Sequence, residues 1–473
     1  MNKIMKISTN PFDDDKLREE CGVFGIFDAT SSKSDAAAHV ALGLHALQHR
    51  GQEAAGIVSF DGHQFYSHRA LGLISDNFNS ESIISKLKGN SAIGHNRYST
   101  TGDTLLRNVQ PLFGEFSFGG FAVAHNGNLT NAMQLRRNLI NRGSLFQATS
   151  DTEVIIHLMA LSSANSIEER LIDALSQVQG AYSLVCLTDS GLIGVRDPLG
   201  VRPLVLGKRD NSYILASETC ALDIIGAELI RDIEPGEIIF ITKNGLRSIK
   251  PFEPKKERFC IFEYIYFARP DSTINNKNVY NVRKNIGMEL AKEAAVEADL
   301  VVAVPDSGVP ASMGYSNASG IPFDLGIIRN HYVGRTFIEP TDQVRNLGVK
   351  LKHNANKAVI KGKRVILVDD SIVRGTTSKK IVNMVREAGA TEVHMRIASP
   401  PTVNSCYYGV DTPERSQLMA AQYSIQEMAD LIGADSLAFI SIDGLYRALN
   451  ETRRNNDSPQ FCDACFTGEY PIE

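Results

Sequence analysis

The first 20 positions are polar and irregular, and the character of the chain changes abruptly at Cys21. In the run Cys21-Gly-Val-Phe-Gly-Ile-Phe27, the apolar residues Val23, Phe24, Ile26 and Phe27 alternate with glycines and predict a buried strand. From there to about residue 250 the apolar runs are short and of β type, at 54–59, 121–124, 182–187 and 236–241. Helical periodicity occurs at 36–47 and 152–161. This pattern predicts a layered α+β domain over 21–250. A charged, proline-containing linker, Pro251-Phe-Glu-Pro-Lys-Lys-Glu-Arg258, comes next, within a connecting stretch taken as 251–278. After about residue 279 the order changes. A helix at 281–298 leads into a strand at 300–304, and a helix at 378–388 lies between strands at 364–368 and 392–398. That βαβ order predicts a parallel sheet in a second, α/β domain over 279–445. A polar tail, 446–473, contains Cys462-Asp-Ala-Cys465.

At 473 residues, the chain is long enough for two or three domains, and its 43% apolar content suits sizeable cores. Disordered, collagen-like and disulfide-stapled classes are excluded. The net charge of −5 argues against a nucleic-acid binder that works by neutralising phosphates. No run of 18 apolar residues predicts a membrane span. The leader has no apolar core and carries Asp13, Asp14, Asp15, Glu19 and Glu20, so a cytoplasmic location is expected. In that compartment the seven cysteines point to catalysis or metal binding before disulfides.

Cys21 stands where the leader meets the first strand. A thiol with a reference pKa of about 8.5 is mostly protonated at neutral pH, whereas an α-amino group near 7.7–8.0 can act as a base. Removing residues 1–20 would put that base on the nucleophile's own residue. The bland alternative is an inert core cysteine. The neighbouring motifs decide between them: His49-Arg-Gly-Gln-Glu-Ala-Ala-Gly56, Gly94-His-Asn-Arg-Tyr-Ser-Thr-Thr-Gly102, His125-Asn126-Gly127-Asn128 and Ser150-Asp151-Thr152-Glu153. In this order they resemble the N-terminal nucleophile, or class II, glutamine amidotransferases, which implies an αββα glutaminase fold. The resemblance implies that Cys21 attacks the glutamine amide and that Asn126 and the Gly127 N–H form the oxyanion hole. It also implies that Arg97 holds the glutamine carboxylate and that Asp151 holds the ammonium group.

The second constellation is Arg364-Val-Ile-Leu-Val-Asp-Asp-Ser-Ile-Val-Arg-Gly-Thr-Thr-Ser378. Two aspartates end an apolar strand, the place where open α/β sheets bind ligands. Arg374, Gly375, Thr376, Thr377 and Ser378 then turn into a helix whose N-terminus offers N–H groups and hydroxyls to a monophosphate. The segment resembles the phosphoribosyl-diphosphate (PRPP) loop of type I phosphoribosyltransferases. Asp369 and Asp370 would hold the ribose hydroxyls. Ser307, Asp369 and Asp370 are the expected side of a Mg²⁺ site, and Arg335, in the polar segment 331–353, is expected on the leaving diphosphate.

Together the two halves resemble the glutamine- and PRPP-dependent amidotransferase family, whose members make 5-phosphoribosylamine in purine synthesis. Cys260, Cys406, Cys462 and Cys465 match the ligand positions of its iron–sulfur type, with a cleaved leader and a [4Fe–4S] cluster. Zinc on the same four thiols and a Cys-x-x-Cys redox pair are the chemical rivals. Cys186 and Cys220 read as core residues. Asn96, Arg329 and His331 depart from the family pattern. The resemblance further implies a homotetramer inhibited by purine nucleotides. The competing functional classes are a purine-sensing regulatory protein without catalysis and an amidotransferase with another sugar-phosphate acceptor.

Overall fold

The computed structural model describes residues 18–19, 21–28, 35–98, 105–117, 119–330 and 353–472. The first half builds two antiparallel sheets. One has seven strands in the order Glu228–Asp232, Val205–Arg209, Ser212–Ala216, Gly22–Asp28, Ser91–Arg97, Ala54–Phe60 and Phe65–Leu71. The other has six: Gly245–Ile249, Ile238–Thr242, Gly191–Arg196, Gly180–Thr188, Gly119–Leu129 and Leu112–Phe116. Alternation along the strands sends Val23, Phe27, Ile93, Val185, Leu215 and Ile239 into the space between the sheets. Phe24 and Ile26 face outward under the helix Ala36–Ala46. Helices Ala132–Asn141, Glu153–Leu161 and Ile167–Gln177 cover the second sheet. The result is the expected αββα stack.

The second half holds four parallel strands in the order Leu300–Ala303, Arg364–Asp369, Glu392–Ile397 and Ser436–Phe439. Ile366 and Val368 pack toward helices Val279–Glu293 and Val309–Ser319. Val365 and Leu367 pack toward Thr376–Glu387 and Ile425–Ile432. Both faces are therefore apolar, as a parallel sheet requires.

The helix expected at 281–298 runs from Val279 to Glu293. It starts earlier because the Asn278 side chain caps it by accepting from the Asn281 N–H at 3.1 Å. The helix at 309–319 gave no periodic signal because its residues are mostly small or polar.

The halves share one core. Leu199 and Val201 of the first half pack with Phe259, Ile261, Tyr264 and Phe461. Phe259–Cys260 pairs in parallel with Phe461–Cys462, which brings the connecting stretch and the tail together. At the leader, Arg18–Glu19 pairs antiparallel with Val410–Asp411.

Candidate functional site

Cys21 immediately precedes the strand Gly22–Asp28, whose Val23 pairs with His95. His95 Nε2–H donates to the His125 carbonyl at 3.1 Å, so the same level of both sheets is pinned together. Asn126 and Gly127 follow His125 directly. Cys21, His95, Asn126 and Gly127 are thus brought to neighbouring positions on paired and facing strands, and residues 99–102 of the second motif lie outside the described residues. Cys21 has a left-handed backbone, φ 50°, which is uncommon and strained for a residue with a Cβ. Its Sγ lies 3.9 Å from the Tyr98 carbonyl.

The Asn126 side chain is fully buried, and neither its Nδ2 nor its Oδ1 has a hydrogen-bond partner among the described residues. Such an orphan costs about 1–3 kcal/mol, which a folded protein sustains at a functional site awaiting a ligand. Gly127 sits at φ 140°, and a Cβ there would come within 2.1 Å of the Ala181 carbonyl, so no larger residue fits.

The Asp151 carboxylate accepts from the Leu129 N–H at 2.9 Å and the Thr152 N–H at 2.8 Å, which fixes its direction. The buried Arg97 donates through Nη1 to the Asn108 carbonyl. Asn108 in turn is bound to Thr149 at 2.8 Å, so the carboxylate and ammonium ends of the expected glutamine site are linked. Asn96 has a local explanation: its Nδ2 donates to the Leu44 carbonyl at 2.6 Å and ties the strand to the covering helix.

Both buried histidines are kept neutral. Burial, aided by the nearby Arg97 charge, takes His95 down to about 3, and burial also lowers His125. His125 Nδ1 meets Thr152 Oγ1 at 3.0 Å. Neither histidine was assigned a role from the sequence beyond its place in a motif. The His95 ring ties the two sheets together, and the His125 ring ties its own sheet to Thr152 at the start of the covering helix.

In the second half, Asp369 and Asp370 are buried at the carboxyl end of the central strand. The Asp369 Oδ1 accepts from the Asp370 N–H at 2.9 Å. Asp370 accepts from Ser371 Oγ at 2.7 Å and also from Ser307 Oγ. The expected Ser307 and Asp370 are therefore in contact across two strand ends. Gly375 has φ 78° and precedes the helix Thr376–Glu387. Thr376 and Ser378 are buried in its first turn. Arg374 is half-buried and donates to Gln417 Oε1 at 3.0 Å. Arg329 pairs with Asp306. Arg335 and His331 lie outside the described residues.

Cys260, Cys406, Cys462 and Cys465 line one small pocket together with Phe262, Tyr408, Val410, Ala464 and Tyr470. Burial pushes the Cys260 thiol up to about 12 and raises those of Cys462 and Cys465. Any metal bound there must displace their protons. Cys465 is fixed by its carbonyl, which accepts from the N–H groups of Val403 and Asn404, both at 3.0 Å. Cys186 and Cys220 are buried elsewhere, and burial raises both thiols.

Two outcomes follow from this geometry. If Asn126 is the oxyanion donor that the motif resemblance implies, Asn126→Ala should lower kcat for glutamine hydrolysis about 100- to 1,000-fold in steady-state assays, the usual loss for one such donor. His95 takes up its proton in the unfolded chain near pH 6.5 but in the folded chain only near pH 3. Its contribution to stability is complete above pH 6.5 and is lost as the pH falls toward 3. Between pH 7 and 5 that loss should be about 2 kcal/mol, and denaturant titrations of His95→Gln should show a correspondingly flatter pH dependence.

Two family models match the chain: a glutamine amidotransferase domain over residues 95–223 and a phosphoribosyl transferase domain over residues 274–416. The amidophosphoribosyltransferase of Rhizobium etli is 59% identical over 478 residues, covering 100% of this chain and 96% of the relative. That of Bacillus subtilis is 48% identical over 458 residues, covering 97% and 95%. The solved Bacillus subtilis glutamine PRPP amidotransferase, complexed with ADP and GMP, matches with a TM-score of 0.90 and 47% identity. That match covers 96% of this chain and 98% of the solved one. No helix among the described residues is long and apolar enough to cross a membrane. With both domains matched in order and full-length relatives at this identity, the chain belongs to the amidophosphoribosyltransferase family.

Proposed function

We propose that the chain carries out its family's reaction at two pockets, with Cys21 cutting glutamine and the 369–378 loop holding PRPP. The reaction moves the amide nitrogen of glutamine to PRPP, giving 5-phosphoribosylamine, glutamate and diphosphate, and it commits carbon to purine synthesis. The orphaned, buried Asn126 amide carries the assignment of the first pocket.

In that pocket the Cys21 sulfur bonds to the amide carbon while its proton passes to the residue's own α-amino group. Asn126 Nδ2–H and the Gly127 N–H take the developing negative oxygen. The C–N bond then breaks, the amine returns its proton, and ammonia leaves a γ-glutamyl thioester. Water hydrolyses that ester to glutamate and restores the thiol. Arg97 and Asp151 hold the two charged ends of the substrate, so that the amide meets the sulfur in a fixed geometry.

The free α-amino group requires cleavage before Cys21. The strained φ at Cys21 and the pairing of Arg18–Glu19 with Val410–Asp411 support a leader held in place for that event.

At the second pocket, ammonia bonds to the anomeric carbon as the C–O bond to diphosphate breaks, and the ammonium so formed gives up one proton to leave the amine. Asp369 and Asp370 hold the ribose hydroxyls, and the turn from Arg374 to Ser378 holds the 5-phosphate. Ser307, in contact with Asp370, and the two aspartates would form the protein side of a Mg²⁺ site, where the ion would supply positive charge to the leaving diphosphate.

The four pocket cysteines are assigned to a [4Fe–4S] cluster. When bound, the group supplies a covalent cross-link between the connecting stretch, the Cys406 loop and the tail. The small apolar pocket that all four cysteines line supports this reading. Purine nucleotides as inhibitors, a homotetramer and a cytoplasmic location complete the reading. The first draws on the ADP and GMP of the solved relative.

Cys21→Ala should abolish glutamine-dependent synthesis and keep ammonia-dependent synthesis, measured as diphosphate release; loss of both would refute separable pockets. Mass spectrometry of the active protein should find Cys21 as the first residue. Anaerobically purified protein should carry about four iron and four sulfide per chain; stoichiometric zinc would overturn the cluster assignment.

A further inference from the structure

Asn128 belongs to the motif that supplies the oxyanion hole, yet the reaction leaves it without a task. Its side chain is half-buried and points out of the first half of the molecule. Its Nδ2–H donates to the Tyr407 carbonyl at 2.9 Å, across 279 positions of sequence. Tyr407 follows Cys406 directly, and the Cys406 sulfur itself accepts from the Tyr408 N–H at 3.3 Å. A second donor from the first half, Arg202 Nε–H, reaches the Tyr408 carbonyl at 3.0 Å. Two adjacent carbonyls of the Cys406 loop are thus gripped from the glutaminase side.

The place of Asn128 along its strand gives the grip a consequence. On one side is Gly127, whose N–H is the oxyanion donor and whose backbone turns at φ 140°. On the other is Leu129, whose N–H is held by Asp151 at 2.9 Å. The strand end is paired along its length with Gly180–Thr188, and besides that ladder it is held at 129 by Asp151 and at 128 from the other domain, both just past the peptide that leaves Gly127. We propose that Asn128 is a positioning residue through which the Cys406 loop of the second half sets the oxyanion hole of the first. This rests on the assignment of Cys21, Asn126 and Gly127 as the glutamine-cutting centre.

The test uses full-length, metal-loaded protein. Asn128→Ala should lower glutamine-dependent kcat about two- to tenfold, the range one net hydrogen bond is worth. The KM for glutamine should stay within about twofold, because the Asp151 anchor remains. Ammonia-dependent synthesis should be unchanged. Asn128→Asp keeps the shape but sets an acceptor against a carbonyl, so it should lose more than the alanine variant. Hydrogen exchange, followed by mass spectrometry, should quicken in the peptide spanning 122–131 in both variants. Wild-type kcat in both variants would overturn the proposal. So would an equal fall in glutamine- and ammonia-dependent rates, which marks a merely structural loss. Retained glutamine use in Cys21→Ala, run alongside, would instead sink the assignment of the centre itself.

Discussion

The two halves are joined by a buried set of charges. Arg50 and Arg202, both fully buried, share the carboxylate of Glu263, with Arg50 Nη2 at 2.6 Å and Arg202 Nη1 at 3.1 Å. Arg50 also pairs with Glu218, which accepts from His49 at 2.7 Å, Ser272 Oγ at 2.7 Å and the Arg269 N–H at 2.8 Å. Burial alone would raise Glu218, but Arg50 and His49 hold it well below the usual carboxylate range. Arg50 and Arg202 face Glu218 and Glu263, and all four side chains are fully buried. Removing one member of such a set strands the others and typically costs about 3–5 kcal/mol. The charges come from both sides: Arg50, Arg202 and Glu218 from the glutaminase half, and Glu263 from the stretch that starts at Cys260. The geometry fixes the connecting stretch against the first half, and its Phe259, Ile261 and Tyr264 pack in turn with Val279, Ile286 and Ile440 of the second half.

That placement is what the chemistry needs. In the proposed reaction, ammonia released into bulk water would be protonated and lost as a nucleophile, which favours holding the two proposed pockets in one closed molecule. Around the first pocket, preorganisation is carried by backbone and neutral groups. His95 ties the two sheets together while uncharged, the Gly127 turn admits no Cβ, and the Asn126 amide is buried. A donor that is already dry and fixed need not reorganise when negative charge develops on the substrate oxygen. The second pocket uses a strand end and a helix start, where acidic side chains and free N–H groups occur together without special construction.

Much of this was legible in the sequence, because the chemistry lies in contiguous motifs. His125-Asn126-Gly127 and Asp369 to Ser378 each place their functional groups within a few residues of one another, on a strand end or a turn. The strands Gly22–Asp28 and Arg364–Asp369 were visible as apolar runs with turn signals. The helix Ile167–Gln177 was missed although Ser166 and Glu169 form a capping box ahead of it, a signal that could have found it. What could not be read were partnerships across long separations. Nothing local to Asn96 announces the Leu44 carbonyl. Nothing local to Arg50 announces Glu263, 213 positions away, or to Asn128 the Tyr407 carbonyl. These depend on how the halves dock, and docking is a property of the folded surfaces.

In the proposed reaction, ammonia freed at the Cys21 pocket is consumed at the 369–378 pocket before it mixes with the solution pool. This transfer is tested most directly by isotope competition. The protein is given PRPP and glutamine labelled with ¹⁵N at the amide, in a buffer holding excess unlabelled ammonium, and the aminated sugar phosphate is analysed by mass spectrometry. The account predicts product carrying ¹⁵N far above the ¹⁵N fraction of ammonia in solution. Product whose label simply matches that of the solution pool would contradict it.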